Sequence, residues 1–294
     1  MIPQQENNLL ASFFLFIDYK VLQQGVAYQT LTTRLFPTVD RTLPAGYQGY
    51  SAPLKSFVYC SGVSGAIVIN NVSGGGYSEP LTRGSGIFID YVNGRAIVPT
   101  SLGTNLVLTG TASFPDIRCY LPNETEEQIL TQGKYFVNPR FYSPLSASGA
   151  PPGTYTTPAI FINQLSARNE PFQFGGLVTS MSTITVTALC ESNFQLNALF
   201  SIFRDLRFQY FPMMNAISDP LNQWGDLKGG AATGYNYLGY VASYGQPGNL
   251  VYIGDVRASK VSDRLRLNLQ LFVGIIDLEV SYVRQAPLNS NIFV

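Results

Sequence analysis

The fold class is decided by the stretch Ile87-Phe88-Ile89-Asp90-Tyr91-Val92-Asn93-Gly94-Arg95-Ala96-Ile97-Val98. Two runs rich in β-branched residues flank the pair Asn93-Gly94. A type I′ turn needs positive φ at both central residues, and asparagine and glycine adopt positive φ most readily. The stretch therefore predicts a β-hairpin that turns at Asn93-Gly94, within a protein built on antiparallel strands.

Further strands are predicted from short apolar or alternating runs bounded by glycine and proline. The run 182–190 alternates hydroxyl and apolar side chains, which is typical of a strand with one polar face. The runs 250–261 and 272–282 are predicted to form a final antiparallel pair joined through 263–270. The other predicted strands cover 27–36, 56–60, 66–70, 106–112, 117–121, 159–165, 208–211 and 235–242.

A helix is predicted near the start of the chain, with Asn7 or Asn8 as its cap and Gly25 at its end. A strand over 14–21 is the competing interpretation. The helix is favoured by apolar residues at the spacing i, i+3, i+4, i+7. They are Leu10, Phe13, Phe14 and Ile17.

Two more helices are predicted from capping residues. Asn123 and Glu126 match a variant capping box, with the helix running to Gln132 before Gly133. Ser192 is predicted to cap the other helix. One face of that helix is formed by Gln195, Ala198, Leu199, Ile202, Phe203 and Leu206.

These elements predict a mostly β protein with a minor α share. The expected architecture is an antiparallel β-sandwich or barrel-like core with two to three short helices. The region 141–158 is uncharged and rich in proline and glycine, as domain connections often are. We expect a β-rich part over 1–140, a connection over 141–158 and a β-rich part with one helix over 159–294, or a single domain.

Composition excludes several classes of function. The chain of 294 residues has no histidine, so it cannot form a Ser-His-Asp or Cys-His catalytic arrangement or a histidine metal site. Phosphate-binding glycine motifs are also absent from the sequence. A carboxylate pair would suffice for a glycosidase, but the cluster Glu124, Glu126 and Glu127 is explained by the helix start. The sequence predicts a non-enzymatic protein with no catalytic, cofactor-binding or metal-binding residues.

The charge content indicates a surface covered by partners. Lys plus Arg and Asp plus Glu each number 18, so the formal net charge is zero, which argues against binding bulk nucleic-acid phosphate. Charged residues make up 12%, about half the ~25% usual in globular proteins. Interfaces are likewise depleted in charge and enriched in aromatic residues.

The cysteines and the apolar segments carry two further predictions. The three cysteines are odd in number and widely separated, so we expect them to be reduced and unbridged. They are Cys60, Cys119 and Cys190. The most apolar stretch, 9–17, has nine residues where a membrane span needs about 20, and the start of the chain lacks the basic region of a secretory signal. We therefore expect no membrane partner.

Two groups of residues are candidates for contacts between subunits. The first is the most densely charged stretch, which also holds Asp255 and Asp263 and has mixed signs. It fits a rim of inter-subunit ion pairs, a nucleic-acid stripe or an ordinary solvated hairpin. The second is the uncharged C-terminal tail, 286–294. Its apolar residues are explained if the tail docks on a neighbouring subunit. Packing of the tail on its own domain is the alternative. The candidates are Arg257, Lys260, Arg264, Arg266, Ile292, Phe293 and Val294.

Several short stretches carry a resemblance to a known type of protein. They are Ser12-Phe13-Phe14-Leu15-Phe16-Ile17-Asp18, Glu170-Pro171-Phe172-Gln173-Phe174-Gly175-Gly176, Ser201-Ile202-Phe203-Arg204-Asp205 and Val261-Ser262-Asp263-Arg264-Leu265. With these stretches and its histidine-poor, Gly- and Tyr-rich composition, the chain resembles virion structural proteins of tailed bacteriophages.

The resemblance implies a non-enzymatic homo-oligomeric subunit of the virion, assembled in the host cytoplasm. Among the roles that the resemblance implies, a ring-forming neck (head–tail connector) or tail protein is the most favoured and a capsid protein the least favoured. Expected partners are copies of itself and neighbouring virion proteins, with no small-molecule substrate and with DNA contact only if the subunit lines a channel. The alternative is a carbohydrate- or receptor-binding module of a tail or baseplate, with Trp224 and tyrosine loops as stacking platforms.

Overall fold

A computed structural model describes most of the chain. It covers residues 5–39, 43–77, 79–83, 86–122, 125, 128–129, 135–137, 155–171, 177–214, 221, 235–261 and 271–285. The protein is mostly β, as predicted, with two large sheets and three helices among these residues. The predicted connection falls outside them over 141–154, so the division into two parts stays a prediction.

Helix α1, Gln5–Gln24, confirms the helical interpretation of the first segment and excludes the competing strand. It begins two residues before Asn7, and nearly all of its residues from Leu9 to Ile17 are buried. A helix that is apolar on all sides lies inside a protein. The helix ends as predicted, where the Gly25 amide donates to the Val21 carbonyl at 3.1 Å.

Helix α2, Asn193–Arg204, is capped as predicted by Ser192, whose hydroxyl accepts from the Gln195 amide at 3.2 Å. Near the second predicted helix, Thr125 and Gln128 form a capping box. The Thr125 amide donates to Gln128 Oε1 at 3.0 Å, and the Gln128 amide donates to Thr125 Oγ1 at 3.3 Å. The predicted cap, Asn123, and its partner Glu126 lie outside the described residues, so that capping box stays a prediction.

Helix α3, Tyr237–Tyr244, replaces the strand that was predicted over 235–242. The Asn236 side chain accepts from the Gly239 amide at 3.2 Å and caps the helix. Its tyrosines at i, i+3 and i+7 then share one face, and Tyr237 stacks on Tyr19 of α1 at 4.8 Å between ring centroids. Helical spacing of these rings, rather than alternation, therefore decides the local structure.

A seven-stranded sheet is built from residues 28–115, in the order β4-β3-β7-β1-β2-β6-β5. Strand β2 lies in a glycine-rich segment for which no strand was predicted, whereas 56–60 and 66–70 do not form strands. Phe57 and Val58 instead donate single backbone hydrogen bonds to Tyr91 and Ser113, at 2.7 and 2.8 Å. The strands are β1 Tyr28–Thr38, β2 Tyr47–Ser51, β3 Asn71–Gly74, β4 Leu81–Thr82, β5 Phe88–Asp90, β6 Arg95–Pro99 and β7 Leu108–Pro115.

The predicted hairpin is formed by β5 and β6, but its turn is not type I′. The last pair is Asp90 with Arg95, so four residues form the loop, and Gly94 has a φ of 63° while Asn93 does not have a positive φ. The Asp90 carboxylate accepts from the Asn93 amide at 3.1 Å and from Arg95 Nε at 2.7 Å. Buried Tyr91 donates its hydroxyl to the Ile69 carbonyl at 3.0 Å, which removes it from the strand.

A six-stranded sheet is built from residues 118–285, in the order β13-β14-β15-β12-β11-β8. The antiparallel pair predicted for the last two runs is confirmed as β14 with β15. The strands are β8 Arg118–Tyr120, β11 Ala159–Pro171, β12 Leu177–Cys190, β13 Tyr210–Pro212, β14 Leu250–Lys260 and β15 Phe272–Gln285. Two further short strands, β9 Tyr135–Val137 and β10 Tyr155–Thr157, pair in parallel.

One face of the six-stranded sheet packs against the helices. A Cβ placed on Gly274 would lie 2.7 Å from Leu196 and Phe200 of α2, so this face of β15 is in close contact with that helix. A continuous apolar cluster joins α1, α2 and both large sheets. The opposite face of the six-stranded sheet is therefore the one available to other molecules.

Candidate functional site

The candidate ion pairs lie on this outer face. Arg257 Nε donates to Asp255 Oδ2 at 2.9 Å, and Arg257 Nη2 lies 3.6 Å from Glu279 Oε1 on the next strand. Arg207 Nε lies 3.6 Å from the other oxygen of Asp255. The hydrogen bond from Arg257 lowers the pKa of Asp255. The oppositely charged side chains of this stretch thus form an ion-pair network within one subunit. Exposed ion pairs of this kind contribute little to stability.

Only two of the seven predicted contact residues lie in the described part of the chain. Arg257 belongs to the ion-pair network, and the Lys260 ammonium donates to Asn193 Oδ1 at the start of α2, at 3.1 Å. Contacts of these two with another subunit stay a prediction. The others lie outside the described residues: Arg264, Arg266, Ile292, Phe293 and Val294.

Two β-bulges shape the outer face beside this network. One lies in β11 between Gln164 and Ser166, and the other in β14 between Ile253 and Asp255. The strands β12 and β15 run between them without a bulge. Bulges bend a strand and increase its twist. The two bulges are level with each other, because one row of paired residues crosses all four strands: Ser166, Thr183, Glu279 and Asp255.

A hollow of about 440 Å³ lies on the sheet between the two bulges, and we call it the saddle. Its lining includes one positively and one negatively charged side chain, three hydroxyl groups and one aromatic ring. These belong, in that order, to Arg168, Glu279, the group Ser166, Thr183 and Ser281, and Tyr252. A smaller hollow of about 180 Å³ adjoins it and shares Thr183 and Glu279. The sequence could not predict the saddle because it depends on the register of four strands that are distant in the chain.

An aromatic group borders the saddle at Tyr252. Phe208 stacks on Tyr252 with ring centroids 6.4 Å apart, and Tyr210 lies at 5.1 Å. Phe208 is 60% exposed and has a φ of 66°, which is rare for a bulky side chain. Its backbone is held in place by the hydrogen bond from its amide to the Ile253 carbonyl, at 2.9 Å. Arg207 lies over the Phe208 ring, 4.6 Å from its centroid.

Strand β11 continues past the bulge as an exposed run, Leu165 to Pro171, in which all seven residues are exposed. Among the described strands only β8 pairs with the outer edge of β11, and only at Ala159, Ile160 and Phe161. The Arg168 and Glu170 side chains of the run lie 3.3 Å apart and balance each other in charge. The exposed run therefore offers both of its faces and one edge to a partner.

A buried polar cluster lies on the opposite side of the sheet, around Asp18 of α1. The Tyr235 hydroxyl donates to Asp18 Oδ2 at 2.5 Å, and burial raises the pKa of Asp18 to about 6. Burial also raises the pKa of the nearby Cys60 thiol to about 11, so it stays protonated at neutral pH and is a poor nucleophile. This cluster contributes to the structure of the core rather than to a reactive site.

The described residues hold neither a candidate metal cluster nor a helix that could span a membrane. In that part of the chain, no three His, Cys, Asp or Glu residues are grouped closely enough to hold a metal ion. No helix within the described ranges is long and apolar enough to cross a membrane. Trp224, the stacking residue of the carbohydrate alternative, lies outside the described residues. Comparison of the chain with known protein families and with curated proteins finds no match to either.

Proposed function

We propose that this chain is a non-enzymatic structural subunit of a bacteriophage virion that assembles with copies of itself, as a ring-forming neck (head–tail connector) or tail protein. The phage assignment rests on the resemblance of the sequence. The assembly role is supported by one structural feature, the exposed run of β11.

A regular strand that is exposed on both faces and along one edge is a template for pairing with another chain. Monomeric proteins blunt such edges, because an open edge promotes uncontrolled association. The seven residues of the exposed run span about 20 Å at ~3.3 Å per residue, which is enough for a row of inter-strand hydrogen bonds. The bulge at its start, the charged pair Arg168 and Glu170, and Pro171 restrict which chain can pair with this edge, so the exposed run fits one specific partner rather than unselective association.

An apolar side chain in the exposed run adds to this argument. Leu165 is 73% exposed at the start of the run. Large apolar side chains that stand this far into solvent fit a contact surface. Contact of the exposed run with a different surface of the next copy generates a ring when the rotation closes, whereas pairing of two exposed runs with each other would give a two-fold dimer.

The experiment compares the mass of the purified protein with that of a variant altered in the exposed run. Sedimentation equilibrium of the wild type should give a species several times the 32.2 kDa of one chain. Leu165→Asp should dissociate it, because the charge would be buried against the partner, while circular dichroism stays unchanged since the side chain is exposed.

Val39→Asp is the matched control. Val39 is 98% exposed and follows β1 in the other sheet, so this variant should sediment like the wild type. A wild-type protein that is monomeric at all concentrations would contradict the proposed self-assembly. Equal dissociation of both variants would show that the contact does not involve the exposed run.

A further inference from the structure

We propose that the saddle binds a neutral saccharide of one or two sugar rings. This inference goes beyond the structural role and does not depend on it. It is carried by the coincidence of three features at one place: two opposed bulges, a polar lining of mixed type, and an aromatic ring packed against two others.

The shape of the saddle is the first argument. Bulges occur preferentially next to binding and active sites, where they redirect side chains, and here two of them flank the same row of four residues. The volume of about 440 Å³ falls within the ~300–1,000 Å³ typical of small-molecule sites. Two independent distortions at one level of a sheet indicate a built recess.

The polar lining is the second argument. A sugar hydroxyl both donates and accepts, so it needs donors and acceptors side by side. The saddle supplies the Arg168 guanidinium as donor, the Glu279 carboxylate as acceptor, and the Ser166, Thr183 and Ser281 hydroxyls as both. The Ser166 hydroxyl already donates to Thr183 at 3.2 Å, which orients this pair.

The charge balance favours a neutral ligand over a phosphate. Arg168 is paired with Glu170 at 3.3 Å and Arg257 with Asp255 at 2.9 Å, so both guanidinium groups already have carboxylate partners. An anion would have to displace those partners and would also meet the carboxylate of Glu279. A neutral polyhydroxyl ligand can add hydrogen bonds without breaking the ion pairs.

The packed tyrosine ring is the third argument. Tyr252 packs against Phe208 and Tyr210, and it lines the wall of the saddle. The left-handed φ of Phe208 is strained, and such strain clusters at functional sites. The apolar C–H face of a sugar ring packs well on such an aromatic surface.

The test is saturation-transfer NMR with four disaccharides as probes: lactose, maltose, cellobiose and N,N′-diacetylchitobiose, each at millimolar concentration. At least one should receive saturation from the wild-type protein. Glu279→Gln should weaken its binding about tenfold or more, since it removes a charged acceptor, and hydrogen bonds to charged groups are stronger than those to neutral ones. The side chain of Glu279 is 63% exposed, so this variant is expected to fold.

Tyr252→Ala should also reduce the signal, by removing the aromatic surface. The matched controls are Glu6→Gln in α1 and Tyr77→Ala beside the seven-stranded sheet, and both should bind like the wild type. The proposal is overturned if none of the four sugars receives saturation, or if binding survives in both saddle variants. It is also overturned if those variants change the sedimenting mass without any effect of sugar, because the saddle would then be a contact between copies. Glu279→Gln should lose sugar binding in a protein that keeps the sedimenting mass of the wild type, which separates this inference from the proposed function.

Discussion

Replacing Asp18 by asparagine should stabilise the protein at neutral pH and have little effect in acid. The carboxylate of Asp18 accepts from the buried Tyr235 hydroxyl, and burial raises its pKa from 3.8 to about 6. The folded state therefore holds this proton more tightly than the unfolded chain. Stability from the protonated form is complete below pH 3.8 and is lost as the pH rises to about 6.

The magnitude follows from the pKa difference. The difference between a pKa of 3.8 and one of about 6 corresponds to about 3 kcal/mol. Asp18 is half-buried as a residue, so solvent screening reduces the expected gain to about 1–2 kcal/mol. An asparagine oxygen can still accept from Tyr235, so the substitution removes the charge and keeps the hydrogen bond.

The assay is urea unfolding of wild type and Asp18→Asn at about pH 5 and about pH 8, where the linkage predicts a larger gain at the higher pH. Tyr235→Phe should act in the opposite direction, since it leaves the carboxylate without its donor. Asp205→Asn, at the exposed end of α2, is the control and should change stability by less than about 0.5 kcal/mol at either pH. An Asp18→Asn protein that is less stable than wild type at the higher pH would refute the reasoning.

Three more substitutions or measurements test the packing. Gly274→Ala should destabilise the protein by about 1–3 kcal/mol in urea unfolding, because the new methyl would lie 2.7 Å from the Phe200 ring, and an unchanged midpoint would contradict this contact. Gly94→Ala should cost about 2 kcal/mol, since φ is 63° and its Cβ would lie 2.7 Å from the Leu54 carbonyl oxygen; a neutral effect would argue against the four-residue loop. Burial raises the pKa of Cys60, Cys119 and Cys190, so thiol titration should detect little reaction in the native protein. After unfolding without reductant it should detect three free thiols, whereas one free thiol would reveal a disulfide.

The parts of the fold that sequence could predict are those with local signals. Ser192 fixes the start of α2 through one short-range hydrogen bond, and the hairpin of β5 and β6 follows from a turn-forming pair between two strand-forming runs. The strand predicted over 235–242 was wrong, because the tyrosines there alternate in part as they would in a strand. The Asn236 cap and the stacking of Tyr237 on Tyr19 decide in favour of the helix, and the second of these depends on a distant element.

The candidate site was less predictable than the fold. The ion pairs around Arg257 could be expected from the mixed charges of one stretch, although the sequence could not show that Glu279 and Arg207 complete them within the subunit. The saddle needs two bulges in strands nearly ninety residues apart, and the exposed run of β11 follows from how little of its edge β8 covers. These are properties of strand register, which composition and periodicity do not contain.

Single-particle imaging of the purified protein tests the central claim most directly. The account predicts closed rings in which the exposed run of β11, Leu165 to Pro171, lies at the boundary between neighbouring copies and is covered there. Particles of one chain, or an assembly in which this run still faces solvent on both sides, would contradict it.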